Sequence, residues 1–188
     1  MNVIICRRFY RRGGWSVLKD DELIELIRKG NEQAAEKLIN RYYKAIFRYC
    51  KWHCSSLEKA EDLTQETFYR LFKNLSGYNG KQKFKAYLYT IANHLCVDES
   101  RKIPFYPLED GENIVDECNK ILQVEDKAEI KYLLGVLSPE QREAIILRFG
   151  EQLSFDEIAK VMGCNMRTAQ SRVRHGLKIM RKEQRNGR

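Results

Sequence analysis

The sequence predicts an all-α protein: two helical domains joined by a flexible linker. Three observations carry this expectation. The 188 residues include only 3 prolines and 11 glycines, too few for the turns of a β-sandwich. Apolar residues recur at helical spacing in segments that open on capping residues. The charge is divided: residues 1–19 have five basic and no acidic residues, and 20–102 have 15 basic and 12 acidic. Residues 103–129 have two basic and eight acidic, and 130–188 have 12 basic and six acidic. A basic body, an acidic middle and a basic end suggest two modules on a charged tether.

In the first module Asp20-Asp21 opens a helix from Glu22 to Lys29, which Gly30 ends. Asn31 caps a second helix running to about Trp52, with Leu38, Ile39, Ile46, Tyr49 and Cys50 in its apolar set. Ser55-Ser56-Leu57-Glu58 has the form of a capping box and starts a third helix to Leu75, with Leu63, Phe68 and Leu71 facing inward. Asn74 to Gln82 is a loop. A fourth helix spans Lys83 to Arg101 on a stripe of Phe84, Leu88, Ile91, Ala92 and Leu95. Four helices with short connections make a bundle.

Pro104 and Pro107 stop helix formation, and the acidic stretch 103–128 has few residues to bury. The second module, 129–188, begins with a short helix from Ile130 to Leu137. Ser138-Pro139-Glu140-Gln141 starts a helix that Gly150 closes, and Ser154-Phe155-Asp156-Glu157 starts a short one to Met162. Gly163-Cys164 is a tight turn, and Asn165 caps a long last helix.

No apolar run approaches 18 residues, which disfavours a membrane span. The start, Val3 to Cys6 followed by Arg7-Arg8, is too short and wrongly ordered for a signal peptide, so a cytoplasmic chain is expected. Gly-rich phosphate loops, nucleophile elbows and His-Glu helix motifs are missing from the sequence, which gives an enzyme reading nothing to stand on. Of the six cysteines, Cys50 and Cys54 share a helix face with His53. A zinc site there needs a fourth ligand such as His94 or Cys96. Core packing is the preferred reading and no cofactor is expected; a metal or redox sensor is the rival.

Basic modules commonly meet nucleic acid, where neutralised phosphates supply sequence-independent affinity. The stretch Leu153 to Met180 reads as a helix-turn-helix. Ala169, Val173 and Leu177 pack back on the preceding helix. Arg167, Gln170, Ser171, Arg174, His175 and Lys178 then face outward, flanked by Thr168 and Arg172. Such a helix fits a major groove, with Arg and Gln reaching base edges.

Taken together, residues 20–182 resemble a bacterial RNA polymerase sigma factor of the extracytoplasmic-function class. Three motifs carry the resemblance. Leu153–Ala159 and Met162–Val173 match the region 4 module that reads the −35 promoter element. Ala60–Phe68 is similar to the polymerase-binding helix of region 2. Phe84–His94, with Val97-Asp98 and Arg101-Lys102, resembles the segment that opens and reads the −10 element.

The resemblance implies a division of labour. Asp62, Gln65, Glu66 and Tyr69 on the third helix would meet the clamp coiled coil of core RNA polymerase, and region 4 its flap. Lys81, Lys83, Lys85, Tyr87, Asn93, Arg101 and Lys102 would contact the −10 DNA, cations on the backbone and rings on unpaired bases. Phe84 is read as core, and Tyr87 has a bundle position as its alternative. Arg167, Thr168, Gln170, Ser171, Arg172, Arg174, His175 and Lys178 would contact the −35 duplex. The acidic linker would thread the channel of emerging RNA, and an anti-sigma factor would hold the chain inactive. Gln170 and His175 depart from the basic residues that relatives often have there. Residues 1–16 lie outside the resemblance and are expected to be disordered. A response-regulator-like activator is the DNA-binding rival; 60–68 and 84–94 argue against it.

Overall fold

The computed structural model describes residues 18–54, 56–80, 83–100 and 127–186, which are helical with short connections and contain no strand. The basic tail up to Val17, Lys81, Arg101, Lys102 and most of the acidic linker lie outside the described residues.

The first module contains α1 (Asp20–Arg28), α2 (Glu32–Lys51), α3 (Leu57–Lys73) and α4 (Phe84–Ser100). Caps set the starts. Asn31 Oδ1 accepts from the Ala34 amide at 3.0 Å, and Ser56 Oγ accepts from the Lys59 amide at 3.2 Å. α1 begins earlier than the apolar pattern implies, because the Lys19 amide donates to Glu22 Oε2 at 2.7 Å. Gly30 takes φ +84° to end it. Leu23, Leu38, Ile46, Leu71 and Leu88 meet in the bundle interior, and Thr64 and Thr67 return their hydroxyls to carbonyls of their own helix. The loop expected from Asn74 to Gln82 contains a single 3-10 turn, Leu75–Gly77. Arg28 clamps it by donating to the Leu75 and Tyr78 carbonyls.

The second module contains α5 (Lys127–Gly135), α6 (Pro139–Ile145), α7 (Phe155–Val161) and α8 (Met166–Asn186). Ser138 and Ser154 both form reciprocal capping boxes, with Gln141 and Glu157 respectively. The helix expected to run to Gly150 does not stay α-helical. It changes at Ile146 into a π turn, Ile146–Gly150, in which the Glu151 amide donates to the Ile146 carbonyl at 3.2 Å. The change falls within the run Ala144-Ile145-Ile146-Leu147, all four fully buried. Four consecutive apolar side chains cannot share one helical face, so this segment is enclosed by its neighbours on several sides.

α6, α7 and α8 pack around Ile145, Ile158, Ala169 and Met180. A Cβ at Gly176 would lie 2.7 Å from Ile145 Cδ1, so α8 crosses α6 closely and a side chain there would make the end of Ile145 shift. Between α7 and α8 the chain turns at Gly163, φ +59°, where nothing lies within 4 Å of an added Cβ. The glycine is therefore required by its backbone angle and not by crowding.

The modules are not separate bodies. α4 lies along α7, and one continuous buried cluster runs from Leu88 and Tyr89 of the first module into Leu147 and Ile158 of the second. Gly163→Ala is expected to cost about 1 kcal/mol, the price of a left-handed Cβ, and Gly163→Asn less. Urea unfolding of the two variants against the parent checks this.

Candidate nucleic-acid interface

α8 presents the outer face its sequence implies. Arg167, Gln170, Arg174, His175 and Lys178 are exposed; Thr168, Ser171 and Arg172 are half-buried on the flanks. Asn165 Oδ1 accepts from the Thr168 amide at 2.8 Å and fixes the first turn, leaving Arg167 and Gln170 at the leading end. Ala169, Val173, Gly176 and Met180 hold the opposite face in the interior.

On α3, Asp62 and Gln65 are exposed and Tyr69 is 60% exposed, an unusual position for an aromatic ring. Glu66 accepts from Arg70 Nε at 2.7 Å, one turn on. The carboxylates and the ring thus share one solvent-facing surface, the arrangement a basic partner surface complements.

The α4 face is placed differently. Of the residues expected to contact the −10 element, Lys83 is exposed and Tyr87 is half-buried beside Tyr78, ring centroids 5.1 Å apart. Lys85 and Asn93 are turned into the second module. Lys85 Nζ donates to the Glu151 carbonyl at 2.7 Å, and Asn93, 8% exposed, donates to the Val161 carbonyl at 3.3 Å. Asn93 was expected on the open polar face of this helix; instead it lies in the seam, because α7 packs along α4. Lys83 Nζ lies 3.5 Å from Glu157 Oε1.

The seam is built from donors on one side and carboxylates on the other. Glu151, its side chain 1% exposed, receives Arg48 Nη2 at 2.8 Å and Nε at 3.2 Å, and the Tyr89 hydroxyl at 2.5 Å. Glu143 receives the Tyr49 hydroxyl at 2.6 Å, and its other oxygen lies 3.2 Å from His53 Nε2. Burial first, and then the adjacent carboxylates, raise the Tyr49 and Tyr89 phenols well above their ordinary range, so both stay protonated as donors. Burial lowers His53 from its ordinary 6.5, against the pull of Glu143. Burial also lowers Lys85, with Glu151 opposing.

The cysteine cluster sits within the bundle. Cys50 and Cys96 sulfurs are 3.9 Å apart, and Cys54 is buried nearby, its thiol pushed up to about 12 by burial. Among the described residues no group of three or more His, Cys, Asp or Glu side chains is placed to hold a metal ion. His53 faces Glu143.

Sequence reasoning did not single out Arg48, Glu143 or Glu151. Residues 67–97 contain no Asp or Glu, and neither does the second half of α2. That one-sided charge was the available signal that the partner carboxylates come from elsewhere in the chain.

Two family models match the chain: sigma-70 region 2 over residues 38–103 and sigma-70 region 4 over residues 127–180. The chain is 30% identical over 162 residues to the extracytoplasmic-function RNA polymerase sigma factor SigC of Mycobacterium tuberculosis, covering 82% of this chain and 87% of that one. It is 24% identical over 179 residues to SigW of Bacillus subtilis, covering 87% and 95%. Its fold is similar to that of the sigma factor RpoE in complex with the anti-sigma factor NepR from Bartonella quintana: TM-score 0.60, 24% identity, 81% of this chain and 98% of that one. The paired helical modules and their matched regions define a sigma-70 type initiation factor. The chain belongs to the extracytoplasmic-function class of that family. No helix among the described residues is long and apolar enough to cross a membrane.

The His53 site sets a pH dependence. A base whose folded value is lowered binds fewer protons when folded than when free. Stability is therefore unaffected above about pH 6.5 and falls as pH drops from there toward the depressed value. Glu143, Arg142 and Glu151 of the second module and Tyr49 of α2 are the charged or titratable groups around it. Unfolding free energy measured between pH 7.5 and 5.5 is expected to decline, and His53→Leu to flatten the decline.

Proposed function

We propose that this chain binds core RNA polymerase through the first module, directs it to promoters, and reads them at two places. The α3 face, Asp62, Gln65, Glu66 and Tyr69, docks on the polymerase clamp. Lys81, Lys83, Lys85, Tyr87, Asn93, Arg101 and Lys102 take the −10 strand, the cations holding its backbone while aromatic rings stack on unpaired bases. The α8 face reads the −35 duplex, with Arg167, Gln170 and Arg174 toward base edges and Arg172 and Lys178 toward phosphates. The second module also meets the polymerase flap. Nucleotide addition belongs to the polymerase; this chain supplies binding and no catalytic group. An anti-sigma factor holding the chain inactive in the cytoplasm completes the reading.

The observation that carries it is the α8 face: a row of exposed basic and amide side chains whose opposite side is locked into the interior. Ala169, Val173 and Met180 fix that opposite side, and the Asn165 cap fixes the first turn, so the basic and amide side chains are held on one outward face.

Reconstitution with core polymerase tests the whole. The purified chain is expected to give discrete transcripts from a genomic fragment library, and a library with no specific start site would refute the reading. Arg172→Ala with Arg174→Ala is expected to weaken duplex binding and reduce the salt slope by about 1, the phosphate contact of Arg172. Charge reversal at Asp62 and Glu66 is expected to reduce polymerase association several-fold while duplex binding stays at the parent level.

A further inference from the structure

We propose that Arg48, Lys85 and Tyr89 form a phosphate-binding pocket for the promoter strand, and that Glu151 occupies this pocket when the two modules are closed on each other. The proposal rests on the DNA-binding reading above and adds a site and an exchange to it.

The pocket is assembled from two helices. Arg48, near the end of α2, presents Nε and Nη2 to the two oxygens of the Glu151 carboxylate at 3.2 and 2.8 Å. Tyr89, one turn beyond Lys85 on α4, donates its hydroxyl to Oε2 at 2.5 Å. Lys85 reaches over the Tyr89 ring, 5.9 Å from its centroid, to the Glu151 carbonyl at 2.7 Å. A guanidinium edge and a protonated phenol therefore converge on one carboxylate, with an ammonium beside them on the backbone carbonyl of the same residue. The two-oxygen face of a phosphodiester meets an arginine fork as a carboxylate does, so the same donors serve either anion.

The charge distribution gives the pocket its second occupant. Residues 67–97 and 37–51 contain no carboxylate of their own, so with the second module withdrawn Arg48 and Lys85 have no acidic partner in those segments. Two cations released beside the α4 surface expected to hold the −10 strand attract a backbone phosphate. Lys85 belongs to both sets: it is a predicted strand contact, and here it is spent on Glu151.

Glu151 is held in place by the backbone around it. The π turn before it ends with the Glu151 amide on the Ile146 carbonyl, and Gln152 after it takes φ +54°, a left-handed conformation costly for a non-glycine residue. The carboxylate is presented by a fixed corner of the second module. Closure and strand binding are then mutually exclusive at this pocket, and a strand must displace Glu151 to enter.

The test uses the full chain and a random-sequence 20-nucleotide single strand, followed by fluorescence anisotropy across a salt series. Dyes at Lys44 and Lys160, both exposed, report the separation of the modules by energy transfer. Glu151→Gln is expected to lower transfer and to tighten strand binding by about tenfold, the factor by which a closed population reduces apparent affinity. In that background Arg48→Ala is expected to reverse the gain and to reduce the salt slope by about 0.7, one single-strand phosphate contact. Tyr89→Phe, which keeps the ring and its packing, is expected to reverse part of it if Arg48→Ala does not fold. Unchanged transfer in Glu151→Gln overturns the closure. Lower transfer with unchanged strand affinity, or a gain that survives both Arg48→Ala and Tyr89→Phe, overturns the pocket. Inorganic phosphate competing at its own millimolar concentration as well as the strand does would assign the site to a free anion and overturn the strand. Failure of the parent chain to direct transcription with core polymerase, with these binding results intact, counts against the promoter reading and leaves the pocket standing.

Discussion

A carboxylate with its side chain 1% exposed has to be answered by donors, and at Glu151 this requirement organises the molecule. Both oxygens are used by Arg48, and Oε2 also by Tyr89. The residues that answer it lie on α2 and α4, 103 and 62 residues away along the chain. Satisfying one buried charge therefore fixes the position of one module against the other. α7 then lies along α4, Asn93 finds the Val161 carbonyl, and the apolar cluster closes across the seam.

The seam divides its chemistry by side. Arg48, Tyr49, Lys85 and Tyr89 donate from the first module; Glu143 and Glu151 accept from the second. A seam of this kind gives specific geometry at modest net gain, because desolvating each charge costs nearly what pairing returns. His53 is the weak point. Its Nε2 is buried without a hydrogen bond of good geometry while Glu143 lies 3.2 Å away. An apolar contact would be insensitive to acid; this one is not.

The sequence made the helices legible because their signals are local. Asn31, Ser56, Ser138, Ser154 and Asn165 all cap in the structure, and Gly30 and Gly163 take the positive φ that their places in the pattern imply. The outer face of α8 follows from the spacing of Ala169 and Val173. What was not legible depends on residues distant in the chain. Asn93 reads as a solvent-facing polar residue on its own helix, and only the arrival of α7 buries it. Nothing local marks Glu143 and Glu151 as buried, because their donors lie in the first module. The π turn, in a stretch that reads as plain helix to Gly150, depends on the packing around its buried apolar run.

The two candidate DNA faces are not equally free. The α8 side chains Arg167, Gln170, Arg174 and Lys178 stand outside the seam, whereas Lys85 and Asn93 lie within it. In the proposed function, duplex recognition is therefore compatible with the closed arrangement, and strand recognition is not. The asymmetry follows from chemistry. A duplex offers its phosphates without unstacking, but a strand becomes available only when bases separate. A surface needed only after the bases separate can be covered beforehand by the chain's own carboxylate, and the group that covers it must be one that a phosphate can replace.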